Sequence, residues 1–170
     1  MAELKIFPPL PSLAELVAKE IEKVDFVTEK KILSGFEYTF KGKAYRFSTQ
    51  QDDQANFSQM INSANLALQI AGMSAAKRQA MFGDNMPVDW ENWSVVWQGH
   101  ADDTAYGLQM NIGEFLDLAK AEGAHIQGCL QEGWVKKAAL RACADEAALK
   151  AKVAELELDI AYRDAKIGKF

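Results

Sequence analysis

Between Phe36 and Phe47 aromatic and polar side chains alternate in two runs separated by Lys41-Gly42, and few folds accept that pattern. Phe36, Tyr38 and Phe40 alternate with Glu37, Thr39 and Lys41; Tyr45 and Phe47 alternate with Ala44, Arg46 and Ser48. A period of two sends successive side chains to opposite faces of a strand. With Lys41-Gly42 as a two-residue turn, Tyr38 faces Tyr45, Phe36 faces Phe47, and Glu37 faces Arg46 on the other side. Aromatic pairs on one face and an ion pair on the other specify one register. Gly42 supplies the positive φ such a turn needs.

A second hairpin is expected further on. Trp93, Val95 and Trp97 alternate, as do Tyr106, Leu108 and Met110, around a polar loop at His100-Ala101-Asp102-Asp103. The expected register pairs Trp97 with Tyr106, Val95 with Leu108, and Trp93 with Met110.

Helical spacing fills most of the rest. Ser12 and Glu15 form a capping box ahead of Leu13, Leu16, Val17, Ile21 and Val24, a short amphipathic helix. Thr49 with Asp52-Asp53 marks a second start, followed by a stripe of Phe57, Ile61, Ala64, Leu68 and Ala71 that ends at Gly72. Ser74 to Phe82 adds a short helix closed by Gly83. Asn111 and Glu114 open a long helix from Ile112 to about Cys143, whose arc holds Phe115, Leu118, Ala119, Ile126, Cys129, Leu130 and Leu140. Gly123, Gly128 and Gly133 predict a kink or a close helix crossing there.

Asp145 caps a last helix in which Leu149, Val153, Leu156 and Ile160 step by four, three and four residues. That is coiled-coil spacing, and these residues are the candidate interface, together with a Pro-rich arm at Phe7 to Leu10. The alternative is an amphipathic helix that folds back on its own domain. The arm itself reads as a rigid lead-in or as a ligand for an aromatic groove. The whole predicts an α+β fold: two β-hairpins each followed by helices, with a long C-terminal helical region. Its segments are an arm and helix at 1–34, an α+β domain at 35–144, and an amphipathic helix at 145–170.

Composition bears on function. A net charge of −5 over 170 residues, with Lys and Arg scattered among acids, argues against nucleic acid and anionic membranes as partners. No run of about 18 apolar residues occurs, so no membrane span is expected. The N-terminus lacks the basic-then-apolar pattern of a signal peptide. The two cysteines, Cys129 and Cys143, sit 14 residues apart on one expected helix, roughly 21 Å, and read as reduced thiols.

No motif that carries chemistry is complete in the sequence. Gly42-Lys43 fails as a phosphate loop, because six residues separate Gly35 from Gly42 and Ala44 replaces the magnesium-binding hydroxyl. No Gly-x-Gly-x-x-Gly run opens a helix after a strand. His100 and His125 form no paired zinc motif with each other or with cysteine. His100 lies beside Asp102 and Asp103, a pair able to serve as a general base only with a nucleophile and a pocket. Asp84, Asp89, Glu91, Asp102 and Asp103 lack calcium-loop spacing. Trp93 and Trp97 share the inward hairpin face, which leaves Trp90 to meet a ligand. No catalytic residue, cofactor or metal is expected.

Three stretches carry a family resemblance: Tyr38-Thr39-Phe40-Lys41-Gly42-Lys43-Ala44-Tyr45-Arg46-Phe47, the helix entry Gln54-Ala55-Asn56-Phe57, and Val96-Trp97-Gln98 through Leu108-Gln109-Met110-Asn111 into Ile112-Gly113-Glu114-Phe115-Leu116 and the helix holding His125. Together they resemble a domain family of tail- and tail-fibre-associated proteins in tailed bacteriophages and prophages, over about residues 35 to 150. Asp102-Asp103 stand where that family tends to carry asparagine. The resemblance implies a non-catalytic structural or attachment protein of a phage tail, working through contacts with other tail or tail-fibre proteins or with its own copies. It would be made in the cytoplasm of the bacterial host and carried, in this reading, into the virion tail. The alternatives are a tail-fibre assembly chaperone and, last, a small enzyme.

Overall fold

The computed structural model describes residues 10–87 and 89–170. The fold is α+β, and its elements in chain order are α1 (Leu13–Leu33), β1 (Phe36–Phe40), β2 (Lys43–Phe47), α2 (Gln51–Ala71), α3 (Ala75–Phe82), β3 (Ser94–Ala101), β4 (Thr104–Asn111), α4 (Ile112–Arg141), α5 (Glu146–Glu155) and α6 (Leu158–Lys166). The strands form one antiparallel sheet in the order β1-β2-β3-β4. The chain gathers into two compact units: residues 32–128, and the described residues up to Lys31 with Cys129–Phe170. This grouping differs from the consecutive segments 1–34, 35–144 and 145–170. An apolar helix face specifies burial but not which partner provides it.

In the 32–128 unit, one face of the sheet carries Phe36, Phe40, Phe47, Leu108 and Met110 into a core completed by Phe57 and Ala64 of α2 and Phe115 and Leu118 of α4. The first hairpin has the expected register, with Phe36 opposite Phe47 and Tyr38 opposite Tyr45. Lys41 and Gly42 turn it with φ of 49° and 82°. Glu37 does stand opposite Arg46, but the guanidinium is engaged elsewhere. Its Nη2 and Nε donate to the Ser34 carbonyl at 2.6 and 3.2 Å.

The second hairpin departs from expectation. Asp102 and Asp103 take φ of 50° and 58° and close a two-residue turn, so the strands run on to Ala101 and Thr104. The pairs are therefore Val95–Met110, Trp97–Leu108 and Gly99–Tyr106, shifted from the expected ones by two residues. A shift of two keeps every side chain on its face, so the buried face is the expected one while the partners are not.

Local signals fix most helix starts. The Glu15 amide donates to Ser12 Oγ (3.3 Å) and the Ser12 amide to Glu15 Oε2 (2.7 Å). Asn111 and Glu114 exchange the same reciprocal bonds at 3.0 Å each. The Ser74 and Asp145 side chains accept from the Lys77 and Ala148 amides. Thr49 does not cap α2: it is fully buried and its hydroxyl donates to the Ile32 carbonyl. Along α2 the buried positions are Phe57, Ala64, Ala67 and Ile70, whereas Leu68 is 46% exposed, because the stripe advances by threes instead of fours.

The other unit centres on Val24 of α1, Leu140 of α4, Leu149 of α5 and Leu158 of α6. A Cβ at Gly133 would stand 2.6 Å from Thr28 Oγ1, so this glycine permits the close crossing of α1 and α4. Gly123 and Gly128 meet open space, and α4 runs unbroken over 30 residues. It ends before Cys143, whose thiol donates to the Ala139 carbonyl (3.5 Å). α1 extends well past the short helix expected from its spacing, reaching Leu33.

The expected single last helix is two. Glu157 adopts the left-handed conformation (φ 49°, ψ 31°) and separates α5 from α6. The break lets Leu158 turn into the core, fully buried.

Candidate functional site

The candidate interface residues do not form one seam. Leu149 is a core residue at 4% exposure, Val153 and Leu156 pack against that core half-buried, and Ile160, beyond the Glu157 break, is 49% exposed. Residues 7–9 of the Pro-rich arm lie outside the described residues, and Leu10 is exposed. Beside Leu149 and Val153 a cavity of about 230 Å³ opens, lined also by Leu16, Glu20, Lys150 and Asp159. Asp159 and Glu20 both bind Lys23 Nζ, at 2.6 and 2.8 Å.

A second surface is the sheet face turned away from the core. Glu37, Arg46 and His100 stand side by side on β1, β2 and β3, and all three are exposed. They line an open cavity of about 700 Å³ with Lys43, Asp102 and Asp103. His100 also borders a neighbouring cavity of about 410 Å³, where Ser48, Asp53 and Gln98 meet Trp97. β2 and β3 are joined at the Arg46–His100 pair. The Ser48 hydroxyl donates to Asp53 rather than to an imidazole, so the arrangement presents hydrogen-bonding groups of both charges without an activated nucleophile.

α4 holds a residue that the sequence pattern does not single out. Glu122, on α4, is 6% exposed and its Oε1 has no hydrogen-bond partner. Burial, with the Asp53 carboxylate adding to it, pushes its carboxyl up to about 7. The available signal was position: Glu122 follows Phe115 by seven and Leu118 by four residues, squarely on the apolar stripe.

The remaining candidates are structural. His125 stacks on Phe36 (centroids 6.0 Å apart) with Nε2 3.3 Å from the Ile32 carbonyl oxygen. The Trp93 indole donates to Ser63 Oγ (3.0 Å), and Trp97 packs on Phe57 and Phe115. Trp90 lies under the Arg78 guanidinium at 4.3 Å. Among the described residues no cluster of three or more His, Cys, Asp or Glu could hold a metal ion, and no helix is long and apolar enough to cross a membrane. Both cysteines are free and half-buried. Trp134 and Val135, neighbours on α4, are exposed at 53% and 69%, as are Met81, Val96 and Ile167 at 57%, 67% and 60%.

No curated protein and no solved structure resembles the chain closely enough to count. A family model described as "Domain of unknown function (DUF4376)" matches residues 16–164, which takes in both compact units. The chain belongs to the DUF4376 family.

Proposed function

We propose that this chain is a non-catalytic, phage tail-associated structural or attachment protein that acts through protein–protein contacts. The observation that carries the contact part is the Trp134-Val135 pair, two large apolar side chains held in solvent on a regular helix. Tryptophan is enriched where interfaces form. The tail setting rests on the resemblance of residues 35 to 150 to tail-associated domains. Mass spectrometry of purified particles tests it. Stoichiometric presence supports a tail component, and absence from particles alongside abundance in the producing cell turns the reading toward an assembly chaperone.

A second reading, a small enzyme, draws on Glu122, a buried carboxylic acid whose ionisation is pushed up to about 7. It stands second because the cavities of about 700 and 410 Å³ are lined by other residues. Replacing Trp134 and Val135 by serine separates the two readings: a contact protein loses its place in the particle while its fold persists.

A further inference from the structure

Among the described residues, β2 and β3 are joined only at Arg46 and His100, although β3 continues back to Ser94. The chain leaves the sheet after Phe47 because the Thr49 hydroxyl donates to the Ile32 carbonyl and the Gln50 side-chain amide to that of Leu33 (2.6 Å). Those bonds hold residues 48–50 beside the end of α1 instead of alongside β3. The rest of β3 is then bonded on one side only. The two-residue turn at Asp102 and Asp103 makes Ala101 and Thr104 a hydrogen-bonded pair, and such pairs recur at every second residue of an antiparallel ladder. Gly99, Trp97 and Val95 therefore bond to β4, whereas His100, Gln98 and Val96 aim their N–H and C=O groups the other way. Those of His100 meet Arg46; those of Gln98 and Val96 meet no described partner. Space lies beside them. The cavity of about 410 Å³ is lined by Val96, Trp97, Gln98, His100, Ser48 and Asp53, all of the 32–128 unit.

We propose that this slot takes an extended peptide segment of a partner protein, which continues the line of β2, pairs through its backbone with Val96 and Gln98, and sets a basic side chain against Asp53. Backbone groups that point into the slot at every second residue, about 6.8 Å apart, match the repeat of another strand. They specify an extended chain, because a helix has its own backbone groups already bonded. Asp53 selects the side chain. Its carboxylate accepts from the Ser48 hydroxyl and takes part in none of the ion pairs among the described residues. Its charge is still felt by Glu122, whose proton it helps to hold. No Lys or Arg lines the slot, so a cation brought by the peptide meets an uncompensated charge, and an acidic peptide meets repulsion. Val96, 67% exposed, offers a β-branched surface to the residue opposite it. The inference rests neither on the tail setting nor on Trp134 and Val135, so its failure leaves that reading untouched.

The probe is the peptide acetyl-Thr-Val-Lys-Val-Thr-amide, titrated into the isotope-labelled full chain and followed by its backbone amide resonances. Shifts should centre on Val96 and Gln98, with a dissociation constant of about 0.1–1 mM for so short a segment. Glu in place of Lys in the probe should weaken binding about fivefold or more. Methylating the probe's backbone nitrogens, which removes its donors, should weaken binding about tenfold or more. Asp53→Asn should erase the preference for Lys over Glu while its carbonyl still accepts from Ser48. If that variant fails to fold, the Lys and Glu probes on the unaltered chain decide. Shifts that are absent or centred elsewhere, a methylated probe that binds as well as its parent, or equal affinity for the Lys and Glu probes overturns the proposal. So does movement of the same amides with protein concentration alone, which assigns the slot to a second copy.

Discussion

Glu122 and Gly35 show how much single positions carry. The folded chain holds the Glu122 proton up to about pH 7, whereas an unfolded chain releases it near the ordinary value of 4.5. Below 4.5 both states are protonated and nothing is lost. As pH rises through the interval, ionisation favours the unfolded chain, and the loss approaches about 3 kcal/mol above pH 7. Glu122→Gln should therefore stabilise the protein against urea at pH 8 and scarcely at all at pH 4; a gain of equal size at both would refute the assignment. Gly35 has φ +86°, and a Cβ there would stand 2.3 Å from the Phe47 carbonyl oxygen. Gly35→Ala should cost more than about 2 kcal/mol in the same assay, since left-handed strain and a backbone clash add. Neither role was legible. A lone acid on an apolar stripe is outweighed by its neighbours, and Gly35 answers to a strand 12 residues on.

At the level of elements, legibility tracked how local the cause is. Two capping boxes and the first hairpin depend on residues within a few positions of one another, and they formed as the spacing required. Asn111→Ala should cost about 1 kcal/mol, read as a lowered melting temperature. The second hairpin's register was missed because Asp102-Asp103 is an unusual pair for a turn in which both residues need positive φ. Asp103→Gly should relieve part of that strain and raise stability by about 0.5–1 kcal/mol, visible as a higher denaturation midpoint. The break at Glu157 carries neither glycine nor proline, so the apolar steps through Leu156 and Ile160 read as one helix. The exposed side chains of the sheet gave no signal of their own, because charged and polar residues at a surface are what any strand with one wet face presents.

At the scale of the whole molecule, two cores divide the chain. Leu158→Ala should cost about 2–5 kcal/mol in the core built on Val24, Leu140 and Leu149, and hydrogen exchange should quicken in α1, α5 and α6. Quickening confined to β1–β4 would contradict the division. That core joins Val24 to Leu140 and Leu158, more than 110 residues later in the chain. A ribosome adds on the order of 5–20 residues per second, so α1 is finished roughly 5–25 s before the helices that cover it exist. During that interval its oily flank must be tolerated by the nascent chain or shielded by whatever attends the exit tunnel. The rate at which the gene is translated thus becomes part of how safely the protein is made.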